Sequence, residues 1–107
     1  MRAPGYETRQ PSRAPHGGAV DIFVNARVSE ALAGPPIGGW PVASIIAKDG
    51  WNGDALHIIA VMEKRSDGWF WAELDAAGEP MFSGQPSVCL DCHRGGSDFV
   101  QAFDLPR

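Results

Sequence analysis

From about residue 19 onward the chain alternates short apolar runs with clusters of turn formers, a rhythm of strands rather than of long helices. Asp21-Ile22-Phe23-Val24-Asn25 is rich in aromatic and β-branched residues between polar neighbours, which predicts a strand. Asn25 can cap a brief helix over 26–32, stopped by Gly34-Pro35-Pro36. Pro41 to Lys48 and Leu56 to Lys64 predict two more strands, folded into an antiparallel hairpin by the turn-rich run Asp49-Gly50-Trp51-Asn52-Gly53-Asp54. Gly68 to Leu74 predicts a fourth, entered through Ser66-Asp67-Gly68 and left through Ala76-Ala77-Gly78-Glu79-Pro80. The centre of the chain is therefore expected to be a β-meander.

The two flanks have a different character. Residues 1–18 hold Pro4, Pro11, Pro15, Gly17 and Gly18 among charges, which predicts an extended arm wrapped on a single domain over 19–107. Beyond Pro86, Ser87 can cap a helical turn carrying Cys89 and Cys92. Ser97 can cap a second helical piece with Phe99, Val100 and Phe103 at helical spacing. The expected fold class is thus α+β.

With 107 residues the chain has material for one domain. So short a chain buries only about two thirds of its unfolded surface, so a buried prosthetic group would enlarge its core substantially. A hydrophobic fraction of 44% with four tryptophans fits a folded domain. The net charge of -4 comes without any Lys/Arg cluster, so no nucleic-acid partner is expected. No apolar run approaches the roughly 20 residues of a membrane span, and none is expected.

The chemistry lies in Cys89-Leu90-Asp91-Cys92-His93, a Cys-x-x-Cys-His run of the kind that attaches haem covalently. Thiols at i and i+3 share one side of a helical turn, where both can add to the haem vinyl groups, and His93 then falls beneath the iron as proximal ligand. One covalent haem c is the expected cofactor. Half of a zinc site is the competing reading, but it needs a second ligand pair at matching spacing, and His16 and His57 are isolated far upstream. Such attachment takes place outside the cytoplasm, whereas Met1-Arg2-Ala3-Pro4-Gly5 lacks the apolar core of a signal peptide. A leader is therefore expected to have been removed, and the periplasm is the expected compartment.

In a typical class I cytochrome c the motif sits near the N-terminus of an all-helical chain, with a methionine ligand downstream. Here it lies near the C-terminus after the predicted strands, and no methionine follows Cys92. This order resembles the cytochrome P-460 family and its relative cytochrome c-prime-beta. The matching pieces run in order over about residues 15 to 103. They are Pro15-His16-Gly17, Ile22-Phe23-Val24-Asn25, Trp40 to Lys48, Ala60-Val61-Met62-Glu63-Lys64, Gly68-Trp69-Phe70-Trp71-Ala72, and Cys89 to His93 followed by Asp98-Phe99-Val100.

The resemblance implies an antiparallel β-meander sheet packed on one face of a haem that a C-terminal helical segment carries. It also implies a five-coordinate iron, a distal pocket open to NO or hydroxylamine, and a homodimer. Lys48 falls where hydroxylamine-oxidising members carry a lysine cross-linked to the haem. Read from the residues alone, Lys48 is a strand-end lysine projecting into water. Asp21 replaces an arginine that some members place just before the Ile-Phe-Val-Asn strand, which weighs against hydroxylamine chemistry. The expectation is an uncross-linked haem that binds NO.

Three side chains are candidates for the sixth coordination position: His57, Met62 and Met81. On one strand His57 and Met62 are five residues apart and point to opposite faces, so at most one meets the haem. An imidazole there gives a low-spin electron carrier, and a thioether raises the reduction potential. The plainer alternatives are a surface histidine and two core methionines. Glu63 and Glu73, on adjacent strands, are candidates for a pocket carboxylate that moves protons, against the commoner exposed glutamate. Trp40, Trp51, Trp69, Phe70 and Trp71 are expected in the core and at the pocket rim.

The function expected is a periplasmic mono-haem protein that binds or transforms a small gaseous or nitrogenous ligand at an open distal site. Whether it turns that ligand over as an oxidoreductase stays open. The alternative is a six-coordinate electron-transfer cytochrome that docks on a redox partner protein.

Overall fold

A computed structural model describes residues 1–12, 17–35, 38–86, 89, 92–94 and 98–100. Among these, β1 (Gln10–Pro11), β2 (Ala19–Val24), β3 (Ile45–Asn52), β4 (Ala55–Arg65), β5 (Gly68–Asp75) and β6 (Pro80–Gly84) form one antiparallel sheet in chain order, with α1 (Ala26–Ala33) between β2 and β3. The β-meander is present, and α1 is the short helix that interrupts it.

Asn25 does two jobs at the start of α1. Its Oδ1 accepts from the Val28 amide at 3.3 Å and from the Ile45 amide at 3.1 Å, while its Nδ2 donates to the Ala43 carbonyl at 2.7 Å. The cap therefore also fixes where β3 begins. The predicted strand over 41–48 is displaced to 45–52 because Pro41 to Ser44 form a turn, with Ala43 at φ 75°. Trp51, expected in a loop, belongs to β3. The actual hairpin loop is only Gly53-Asp54, with Gly53 at φ 61°, the positive φ that such a turn asks of its first central residue.

Two other expectations are corrected. Pro80 to Gly84 is an edge strand, not the tail of a turn: Pro80 has no ladder donor, and the strand leaves Met81 51% exposed. Phe99 and Val100 are not helical, since Asp98 and Phe99 have φ of 47° and 65°. The predicted caps Ser87 and Ser97, and also Phe103, lie outside the described residues.

The first residues line the free edge of β2. Ala3 donates to the Ile22 carbonyl and Val24 to the Met1 carbonyl, both at 2.9 Å, and β1 pairs farther along the same strand. Asp21, only 3% exposed, clamps this arm: its carboxylate accepts from Arg2 at 2.6 Å, Arg9 at 3.1 Å and the Trp51 indole at 3.0 Å. Its charge is thus matched by two guanidiniums, which is what makes its burial tolerable.

Register sets the face that matters. Ile22, Lys48, Ala60, Glu73 and Phe82 stand in one row across β2 to β6, and Val24, Ile46, Met62, Trp71 and Gly84 in a second row on the same face. The buried cluster joins this face to Val28 of α1 and to Trp40, Trp69, Cys89 and Val100. Fully burying one such large apolar side chain stabilises the fold by roughly 1.5–3 kcal/mol.

Candidate functional site

Between the two rows and the C-terminal segment lies a cavity of about 430 Å³. This is within the range of about 300–1,000 Å³ usual for cofactor pockets. Its walls are mostly apolar, with Ile46, Ala60, Met62, Trp71 and Phe82 from the sheet, and the polar side chains in them are Lys48, Glu73, Cys89, Cys92 and His93. Small Ala60, between Lys48 and Glu73 in its row, keeps the middle of the floor low.

Cys89, Cys92 and His93 have helical backbone, as the three-residue spacing of the thiols requires if they are to share a side. Cys89 is buried, and burial pushes its thiol up from the ordinary range, assisted by Glu73 and Cys92. Cys92 is exposed at the cavity mouth. No disulfide joins them.

His93 is buried, and its Nδ1 lies 2.8 Å from the carbonyl oxygen of Phe99. A carbonyl can only accept, so Nδ1 carries the proton and Nε2 keeps the ring's lone pair. Burial lowers the imidazole's pKa, the Phe99 hydrogen bond opposes that, and Lys48 adds to it. A neutral ring with its tautomer fixed by a backbone acceptor is the form in which histidine ligates a metal. The Trp71 ring stands 6.0 Å from that of His93, and Phe99 6.2 Å from Trp71.

Lys48 is in the interior of β3 and lines the cavity, so the reading of a strand-end lysine in water does not describe it. Burial lowers its pKa, and Cys92 partly offsets this. Glu73 lines the cavity two strands away, its carboxyl raised by burial and lowered somewhat by nearby His57.

Of the remaining candidates, Met62 is buried and lines the cavity, whereas His57 is exposed and does not. The parity argument also meets a bulge: Gly50 pairs with Ile58 and Trp51 with Leu56, leaving His57 as the extra residue of β4. Met81 is exposed on β6. Glu63 is not a lining residue, and its Oε1 accepts from Arg65 at 2.8 Å. Trp40, Trp69 and Trp71 are core, while Arg9 stacks on Trp51 and Arg65 on Phe70, each at 3.8 Å.

With its mostly apolar lining, the cavity suits a mainly apolar organic group better than a bare ion. Among the described residues, no three His, Cys, Asp or Glu side chains are grouped to hold a metal ion by themselves. The Trp71 Nε1 is buried with no hydrogen-bond partner among the described residues, a donor left over in the cavity wall. The thiols and His93 meet that cavity together, as haem attached at this motif requires. Neither a comparison with protein-family models nor a search of curated proteins returns a match for this chain.

Sequence reasoning placed Asp98 and Phe99 among the matching pieces but gave neither a role in the site, since that of Phe99 belongs to its backbone and that of Asp98 to hydrogen bonds made across the fold. Ala60 left one faint signal, a small residue at the centre of an apolar strand.

Proposed function

We propose that the chain is a periplasmic mono-haem c-type cytochrome of the P-460 and c-prime-beta type, which binds a small ligand such as NO at an open distal face. The observation that carries this reading is the His93 Nδ1 to Phe99 carbonyl hydrogen bond, made by a ring that lines an apolar cavity together with both thiols. Bound there, haem would supply an iron that coordinates a small ligand and changes oxidation state.

The chain's own residues hold and shield it. Cys89 and Cys92 would hold it through thioether links to its two vinyl groups, and His93 would ligate the iron through Nε2. Ile46, Met62, Trp71 and Phe82 exclude water, which controls both access and potential. Glu73, its carboxyl raised by burial, holds a proton at the cavity floor more readily than an exposed glutamate does. The same reading includes a redox partner protein and a homodimer.

Met62, buried in the cavity wall, favours a second reading, a six-coordinate electron carrier with a thioether ligand. The ferrous spectrum with and without carbon monoxide separates the two. A high-spin band that shifts promptly on adding carbon monoxide is expected, and a low-spin spectrum that carbon monoxide leaves unmoved selects the Met62-ligated carrier.

A further inference from the structure

Asp98 and Phe99 lie outside any regular element, and both have left-handed φ, which non-glycine residues adopt only where their surroundings hold them. Three donors from distant parts of the chain do the holding. The Trp40 amide donates to Asp98 Oδ2 at 2.9 Å, Lys64 Nζ meets the same oxygen at 2.5 Å, and the Trp69 indole donates to the Asp98 carbonyl at 2.7 Å. Both tryptophans are core residues, and Lys64 and Asp98 are largely covered. The side chain and backbone of Asp98 are thus both pinned to the sheet and the Trp40 segment, and the next carbonyl along is the one that His93 meets.

We propose that Asp98, clamped by Lys64, Trp40 and Trp69, is a positioning residue that holds the Phe99 carbonyl on His93 Nδ1 and so sets how strongly Nε2 donates to a bound iron. The inference rests on the reading of His93 as proximal ligand. A firm acceptor on Nδ1–H increases electron density on the ring, strengthens its bond to iron and favours the oxidised metal. Loosening the clamp weakens that bond and raises the reduction potential.

Position and charge make opposite predictions for one variant. If Asp98 acted only by its negative charge, Lys64→Met would uncover that charge and lower the potential. If it acts by position, Lys64→Met and Asp98→Ala both raise the potential. Asp98→Asn keeps an acceptor for the Trp40 amide and the carbonyl for Trp69, and so should restore most of the wild-type value.

The test uses the full haem-loaded chain, with intact mass confirming one haem in each variant. The expected result is a lower iron–histidine stretching frequency and a higher potential in Asp98→Ala and Lys64→Met, with Asp98→Asn near wild type. Should Asp98→Ala fail to fold, Trp69→Phe removes one donor while keeping the ring and is expected to shift both readings the same way. In the full chain without haem, solvent exchange of the His93 Nδ1–H should quicken in Asp98→Ala by roughly five- to tenfold, the factor matching a lost hydrogen bond of ordinary strength. Wild-type frequency and potential in the haem-loaded variants, or a wild-type exchange rate in haem-free Asp98→Ala, would overturn the clamp, and so would a lower potential in Lys64→Met. A bare polypeptide mass for the wild type would instead overturn the underlying reading.

Discussion

Lys48 and Glu73 stand in one row of the sheet with only Ala60 between them, so a lysine and a glutamate face one apolar cavity from opposite sides of its floor. Burial lowers the pKa of the first and raises that of the second, moving both toward neutrality.

Replacing Lys48 by methionine should therefore stabilise the haem-free chain, by about 1 kcal/mol, the low end of the cost of burying an incompletely paired polar group. The sign follows from linkage: below the depressed folded pKa the fold must accept a charge that the unfolded chain holds freely, and that penalty fades as pH rises toward the unfolded value of about 10.4. Thermal melts at pH 7 and pH 10 check this. A gain at pH 7 that shrinks at pH 10 is expected, and a less stable Lys48→Met at pH 7 would show that the lysine is favourably paired.

With haem attached, the ferrous Soret band should be that of an ordinary c-type haem and should not move in Lys48→Ala. A strongly red-shifted band that reverts in Lys48→Ala would establish a cross-link and favour hydroxylamine oxidation.

Ala60→Phe should fill the floor of the cavity and reduce haem retention while leaving the sheet intact. Overpacking typically costs about 1–3 kcal/mol, but an open cavity has room for the ring. Unchanged far-ultraviolet circular dichroism with a mass shifted toward bare polypeptide is expected; full haem occupancy would place the group elsewhere.

Asp21→Asn should destabilise the chain by about 1–3 kcal/mol, since Arg2 and Arg9 lose a charged acceptor. The Arg2 hydrogen bond holds this carboxyl below its ordinary range. Its contribution is therefore complete above an unfolded pKa of about 3.9 and is lost as pH falls through the lower folded value. Denaturant titrations should show a gap between wild type and variant that narrows with acidification, and a constant gap would contradict this.

His93→Ala should alter the iron spectrum far more than His57→Ala, because His93 lines the cavity while His57 is exposed. Equal effects would refute the ligand assignment.

The meander and the Asn25 cap were legible because local patterning and turn chemistry determine them. β6 was not: an edge strand with Met81 and Ser83 exposed lacks a continuous buried pattern, and Pro80 reads as a turn residue. Asp98-Phe99-Val100 looked helical from the spacing of Phe99, Val100 and Phe103. Tertiary hydrogen bonds to Asp98 override that local preference and turn the backbone left-handed. Cys89, Cys92 and His93 were legible as candidates because their spacing is local. Choosing between Glu63 and Glu73 required knowing which face of the sheet meets the cavity, and the bulge at His57 breaks the parity rule at the residue where it was applied.

The most direct test of the central claim is the intact mass of the denatured chain produced in cells competent for c-type maturation. A mass equal to the polypeptide plus one haem, lost or reduced in Cys92→Ala, is the result predicted. The mass of the bare polypeptide would contradict it.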